Sequence, residues 1–385
     1  MRNGKVTQAV YLLSLMITPV IFLLTPQIAY DYGMVGVLQF TLASMIGISL
    51  FILLRSKFIV RPTSKILLLC IELLFITEAL SFMILVTKNL WTRALISGDW
   101  GVIILLFTIV FMIIYFLWRK GYTKSITVSV VGLGMIASFL IPSLVYLNIS
   151  IPTVYSGLHF LAPSSIKLHG THETLLFFVF ILVTFSIPLL YLSGTVRDLL
   201  VEGGPYRILP ALLWSPLPIS LGSLAFVAQA QAIWPKQSDQ VGFLVIEQYA
   251  GQFGKYLFII TLLAMMIYLL LRMHEELRRV TEKASLWCVV SGTAFLLAHW
   301  PGLTILELIL GFGMVQVAIL PLFFLGHIGE GKEWFTLTAG VTVAILILCL
   351  KSIELAILTG AFVSTVVGIC FTLSRKERGN GAMEH

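Results

Sequence analysis

The stretch Ala9 to Gly33, AVYLLSLMITPVIFLLTPQIAYDYG, is apolar over a membrane-crossing length yet is interrupted by Thr18-Pro19 and again by Thr25-Pro26. Proline has no backbone donor and its ring clashes with the carbonyl one turn back, so a helix here is expected to kink or break within the hydrocarbon layer. Backbone groups freed in that way persist at membrane depth only where they are buried in protein or line a cavity. A second stretch, Glu173 to Gly204, ETLLFFVFILVTFSIPLLYLSGTVRDLLVEGG, has the same character, with Ser186-Ile187-Pro188 inside it and Ser193-Gly194 beyond. Each interrupted segment opens one half of the chain. Matching broken helices in corresponding halves point to a duplicated, inverted bundle.

The composition agrees with a membrane setting from end to end. Hydrophobic residues make up 58% of the 385, charged residues 11%, and the mean hydropathy is +1.00. Long apolar runs recur with only short polar connectors, which describes an all-α polytopic membrane protein and excludes a soluble domain. The first run is not read as a cleaved leader, because Thr25-Pro26-Gln27-Ile28 is a poor cleavage site and the following segments are equally apolar. Cys70, Cys288, Cys349 and Cys370 fall inside expected spans and are read as small buried hydrophobes, with no disulfide or metal framework. The net charge of +7 is a topology signal: no basic run is long enough, or interleaved with aromatics, to bind nucleic acid. Zinc-ligand spacing, a nucleophile elbow and a Walker loop are all missing, so no enzyme signature, metal site or cofactor site is read.

Hydropathy set against turn and charge signals places spans at about 8–30, 33–54, 64–87, 100–118, 124–147, 173–195, 206–233, 252–273, 286–300, 303–325, 334–350 and 353–374. With the N-terminus inside, 19 of the 25 Lys and Arg fall in loops of that side, and only Lys88, Arg93, Lys167, Lys236, Lys255 and Lys351 fall opposite. The split predicts a multi-pass protein of the cell membrane with both termini cytoplasmic. Two outer connections are long, 148–172 and 234–251. The latter carries VGFLVIEQYAGQFG, too short to span and expected to lie as a re-entrant or surface helix over the outer mouth.

Five spans, 1–147, precede the outer loop 148–172, and five more, 173–325, follow it. Because five is odd, the second set runs with opposite topology to the first, the geometry of an inverted repeat. The last two spans, within 326–385, stand outside the repeat and are expected at the periphery or in an oligomer contact. The broken first and sixth helices, the tight Tyr30-Asp31-Tyr32-Gly33 hinge into the second helix, the apolar outer segment before the eighth helix and the two trailing helices resemble the five-plus-five inverted-repeat fold. That fold is shared by the amino acid, polyamine and organocation superfamily, the sodium/solute symporters and the membrane subunit of spore germination receptors. The resemblance implies secondary active transport by alternating access. It equally implies a receptor or sensor subunit that keeps the fold without net transport. Sodium-coupled members pair a glycine-rich break in helix one with neighbouring hydroxyls in helix eight. Here the breaks are Thr-Pro, and FIITLLAMMIYLLLRM offers Thr261 as its one aliphatic hydroxyl. A hard cation needs several oxygens at once, which argues against sodium at that site.

Three acids lie within expected spans. In KILLLCIELLFITEALSFMILVTK, Glu72 and Glu78 sit ~10 Å and ~20 Å along the helix from Lys65, inside a ~30 Å hydrocarbon layer. A carboxylate at that depth costs at least a few kcal/mol and must face a cavity, find a partner or be protonated. Six residues apart places the two about 120° apart around the helix, so they do not form one dyad. Glu78 is read as the leading proton-coupling residue, with Glu72 and Glu307 as further candidates; the bland reading of each is a neutral, hydrogen-bonded Glu between helices or, for Glu307, a snorkelling side chain near the Trp300-Pro301-Gly302 turn. Thr18, Pro19, Thr25, Ser186, Pro188, Ser193 and Gly194 are the substrate-binding candidates, because freed amides, carbonyls and half-helix dipoles bind amine or carboxylate groups. A small organic solute, an amino acid or similar zwitterion, is the expected ligand, with protons as the coupling ion if there is one.

Overall fold

The computed structural model describes residue 13 and residues 18–58, 65–168, 177–179, 181–182, 209–280, 284–301, 303–324, 330–350 and 353–381. Among these, eight helices are long and apolar enough to cross a membrane, and Cys288–Ala298 and Ile305–Ile319 are shorter apolar helices. With no water to satisfy backbone groups in lipid, apolar sequence of this length is forced into helix. The helices are α1 (Pro19–Phe58), α2 (Lys65–Ser97), α3 (Trp100–Arg119), α4 (Thr123–Ile149), α5 (Ile151–Leu161), α6 (Pro163–Ile166), α7 (Leu209–Trp214), α8 (Pro216–Ala230), α9 (Val241–Tyr249), α10 (Gly251–Val280), α11 (Ala284–Ala298), α12 (Ile305–Phe324), α13 (Glu330–Leu350) and α14 (Ile353–Gly381). The sixth expected span lies almost wholly outside the described residues.

The opening stretch behaves differently at its two prolines. Leu13 is helical, Thr18 is not, and α1 starts afresh at Pro19, where proline's missing N–H costs nothing. The interruption expected at Thr25-Pro26 is not there, since α1 runs straight through Pro26. Pro26 deprives the Phe22 carbonyl of its donor, and Gly242 of α9 packs against that carbonyl and the proline ring, so that an added Cβ would lie 3.3 Å from each. A neighbour seated on the step lets the helix continue. The bend comes at Gly33, whose φ of 66° and ψ of −158° join the first two spans without a loop. Ser165 of α6 abuts this turn, and a Cβ on Gly33 would stand 2.8 Å from its carbonyl oxygen.

Packing sorts the membrane helices into two sets. α8 lies along both halves of α1, with Gly222 close against Val37 and Ala29 on either side of the Gly33 turn. The second set pairs α4 with α10, α3 with α10, and α2 with α11. Thr127 and Tyr268 share a 2.9 Å hydrogen bond between α4 and α10. Between the sets, the Ser220 hydroxyl of α8 donates to the Ser138 carbonyl of α4 at 2.8 Å, and the Tyr146 hydroxyl to the Ser223 carbonyl at 3.0 Å. α12 touches α1, α2 and α14.

Both long outer connections fold. The first forms α5 and α6, with Gly157 pressed on the end of α8. The second forms a 3-10 turn, Ser238–Gln240, followed by α9, which is buried against α1 and α8 as the surface-helix expectation required. Asn148 donates to the Tyr249 carbonyl at 2.6 Å and fixes the far end of α9. The trailing helices pack on each other and on α12. Gly340 and Gly360 bring α13 and α14 into backbone contact, and the Ser364 hydroxyl donates to the Ala318 carbonyl of α12 at 2.6 Å. The four cysteines are exposed at the surfaces of their helices, not buried as their apolar settings suggested. Facing lipid satisfies an apolar thiol as well as a core does.

Candidate functional site

Glu78 lies mid-way along α2, and the face it shares with no other acid turns toward α12. There the Gln316 amide Nε2 donates to Glu78 Oε2. Gln316 has no exposed surface and its Oε1 has no hydrogen-bond partner, whereas Glu78 keeps some accessible surface. The hydroxyls nearest in sequence are committed elsewhere: Thr77 donates to the Leu73 carbonyl at 2.7 Å and Ser81 to the Thr77 carbonyl at 2.8 Å. Among the described residues no Lys, Arg or His pairs with Glu78. The opposite flank of α2, Ile76, Leu80 and Met83, packs on Met273, Val290 and Ala294. One apolar helix thus presents a lone carboxylate to a lone amide, at the join between α2 and α12.

A second polar group lies where α1, α2 and α12 meet the 3-10 turn. Gln27 of α1 accepts from the Leu306 amide of α12 at 3.3 Å through Oε1 and donates to the Ser238 hydroxyl at 3.2 Å through Nε2. Ser238 passes its proton to Asp31 at 3.0 Å. The adjacent Asp239, 1% exposed, accepts from Asn89 of α2 at 3.1 Å, and its other oxygen is buried without a partner. Burial pushes the Asp239 carboxyl above the usual carboxylate range and Glu307 adds to this, against the lowering effects of Asn89 and Lys88. Gln229 completes the seam by donating to the Tyr30 carbonyl at 3.0 Å. These bonds tie α1, α2, α8 and α12 together beside α9.

The remaining sequence candidates separate. Glu307 is exposed at the start of α12, where its Oε2 accepts from the Thr304 amide at 2.7 Å and hydroxyl at 3.0 Å, while its own amide donates to Thr304 Oγ1 at 3.3 Å. That is a reciprocal helix cap at the outer edge and not a carboxylate within the apolar interior. Thr18 is half-buried, Pro19 and Thr25 are buried, and Thr25 Oγ1 has no partner. Ser186, Pro188, Ser193 and Gly194 lie outside the described residues, as does the side chain of Glu72. The structure therefore brings Glu78 together with Gln316, a pairing that nothing in the sequence suggested. The Thr304-Ile305-Leu306-Glu307 spacing was a readable capping signal that went unused; nothing in the sequence pairs Gln27 with Ser238, or Asn89 with Asp239.

Superposition on solved structures places this arrangement. A substrate-bound, outward-open Na+-coupled sialic acid symporter matches with a TM-score of 0.59 over 96% of this chain and 89% of its own, at 14% identity. The chain has the fold of the inverted-repeat symporters. MHP1, a nucleobase-cation-symport-1 family transporter in a closed conformation with bromovinylhydantoin bound, matches with a TM-score of 0.51 over 95% of this chain and 91% of its own, at 12% identity. The five-plus-five layout with two further helices is thereby shown, and the likeness is one of fold. No protein-family profile matches the sequence, and no curated protein does.

Proposed function

We propose that this protein is a secondary active transporter of a small organic solute in the cell membrane, working by alternating access, with Glu78 as the proton-coupling residue. The observation that carries the reading is the Glu78–Gln316 pair: a carboxylate held at membrane depth by an amide, with no cation paired to it among the described residues. Ionised and dry, such a group costs several kcal/mol, so its state is set by whatever reaches it, a proton or a solute. The pair also joins α2 of one helix set to α12, which touches α1 of the other, so a change at Glu78 is placed to bias how the sets meet. The solved symporters of like fold support transport as the use of this architecture. Thr18, Pro19 and Thr25 stand as solute-site residues on the α1 side, the orphaned Thr25 hydroxyl being the one aimed at an unmade bond.

Sodium coupling of the sialic acid symporter is a property of that protein. In this chain Thr261 is the one aliphatic hydroxyl of FIITLLAMMIYLLLRM, a single oxygen where a hard cation needs several, which favours protons over sodium as the coupling ion. Purified protein in liposomes is expected to accumulate a solute from an amino acid panel when a proton gradient is imposed, and Glu78→Gln is expected to abolish the dependence on that gradient. Accumulation driven by sodium alone, or gradient-driven uptake untouched by Glu78→Gln, would refute it. Saturable binding with no flux would turn the reading to a receptor subunit on the same fold.

A further inference from the structure

The polar inventory around Glu78 is unbalanced in one direction. Among the described residues the carboxylate receives one donor, Gln316 Nε2, and Gln316 Oε1 is a buried acceptor that receives none. Thr77 and Ser81 have spent their protons on their own helix. Among the described residues no basic side chain pairs with the site. Acceptors outnumber donors, and the one formal charge is negative. Leaving a buried acceptor unmade is unfavourable, and an unpaired carboxylate in apolar surroundings more so. The group that completes such a site brings several N–H donors, positive charge and no acceptor.

A primary ammonium answers all three requirements: three donors, a compact charge and no lone pair. It pairs with Glu78 through one N–H and offers another to Gln316 Oε1. A carboxylate answers none, since it adds acceptors and charge of the same sign. The exposure pattern fits a group arriving from one side, because Glu78 retains accessible surface while Gln316 has none. We infer that the Glu78–Gln316 pair is the subsite for the ammonium group of the solute, which makes the solute an amine and leaves any carboxylate of it to be bound elsewhere. The inference rests on the reading of Glu78 as part of the solute pathway and adds the chemical class.

The test uses the full chain in detergent and follows its thermal unfolding midpoint with matched probe sets. Each proteinogenic amino acid is compared with its decarboxylated amine and its deaminated acid, for example leucine with isoamylamine and 4-methylpentanoate. A ligand of the folded state raises the midpoint by mass action. For any skeleton that binds, the amino acid and the amine are expected to raise the midpoint and the deaminated acid is not. Glu78→Gln is expected to weaken amine binding at least about tenfold, as loss of one charge partner does. Gln316→Met, which keeps the charge and removes the orphan oxygen, weakens it less and keeps the preference for amines. This second variant carries the test should Glu78→Gln fail to fold. A deaminated acid that binds as well as its amino acid, amine binding unchanged in both variants, or no shift with any amine-bearing probe would each overturn the inference. Liposome uptake is scored apart: amine binding without flux removes the transporter and leaves the subsite, whereas flux of an amine-free solute insensitive to Glu78→Gln keeps transport but removes both the subsite and the coupling role of Glu78.

Discussion

Glu78 and Glu307 begin as two acids in apolar runs and end in different physical situations. Glu307 is satisfied where it is, because the first turn of α12 offers it the Thr304 amide and hydroxyl. Its negative charge also sits at the positive end of the helix dipole. Thr304→Ala removes the capping hydroxyl and is expected to cost about 1 kcal/mol. The measurement is the unfolding midpoint, with solute binding unchanged. Among the described residues Glu78 has no such backbone support and is reached by a side chain from another helix, Gln316. Its substitution should therefore move binding and proton dependence, where that of the cap moves stability alone. The two acids looked alike in the sequence because hydropathy reports depth and not the direction in which a side chain finds a donor.

At the scale of elements, α1 is set by one glycine. Gly33 holds φ at 66°, a left-handed value, and Ser165 stands against the space where a side chain would go. Gly121 has φ of 81° but nothing within 4 Å of an added Cβ. Both substitutions to alanine carry backbone strain of about 1–2 kcal/mol. Gly33→Ala adds a collision with backbone, so its unfolding midpoint is expected to fall well below that of Gly121→Ala. Equal midpoints would mean that α6 yields freely and does not pin the turn. The sequence placed the hinge correctly from Tyr-Asp-Tyr-Gly. It placed a second break at Pro26 wrongly, because the cost of a proline depends on what packs beside it, and Gly242 comes from 216 residues further along the chain.

At the scale of the whole molecule, one end is strapped by Gln27, Ser238, Asp31, Asn89 and Asp239, drawn from three separate regions of the chain. Asp239 is the part that responds to pH. Its buried carboxyl holds a proton more tightly than an exposed one, so its contribution to this strap is full below the ordinary carboxylate pKa and is lost as pH rises through the raised value. Glu307 acts with this burial; Lys88 and Asn89 act against it. Hydrogen-exchange protection of residues 238–249, corrected for the intrinsic rate, is expected to fall as pH rises from the carboxylate range toward neutrality. Asp239→Asn should hold the low-pH protection throughout, and an unchanged pH profile in that variant would exclude Asp239 as the cause.

The sequence by itself determined the membrane setting, the approximate place of the described apolar helices, the Gly33 hinge and the inverted five-plus-five order. Each is legible because the bilayer turns length and apolarity directly into structure, and glycine and proline mark where it must bend. It also singled out Glu78 by the cost of burying a charge. Only the tertiary structure decided that Glu78 meets Gln316, that Glu307 caps a helix, that the cysteines face outward and that five polar side chains strap one end. Those outcomes depend on the rotation of each helix about its own axis and on contacts more than a hundred residues apart. Apolar faces that look alike to lipid and to protein leave that rotation unwritten until the helices pack.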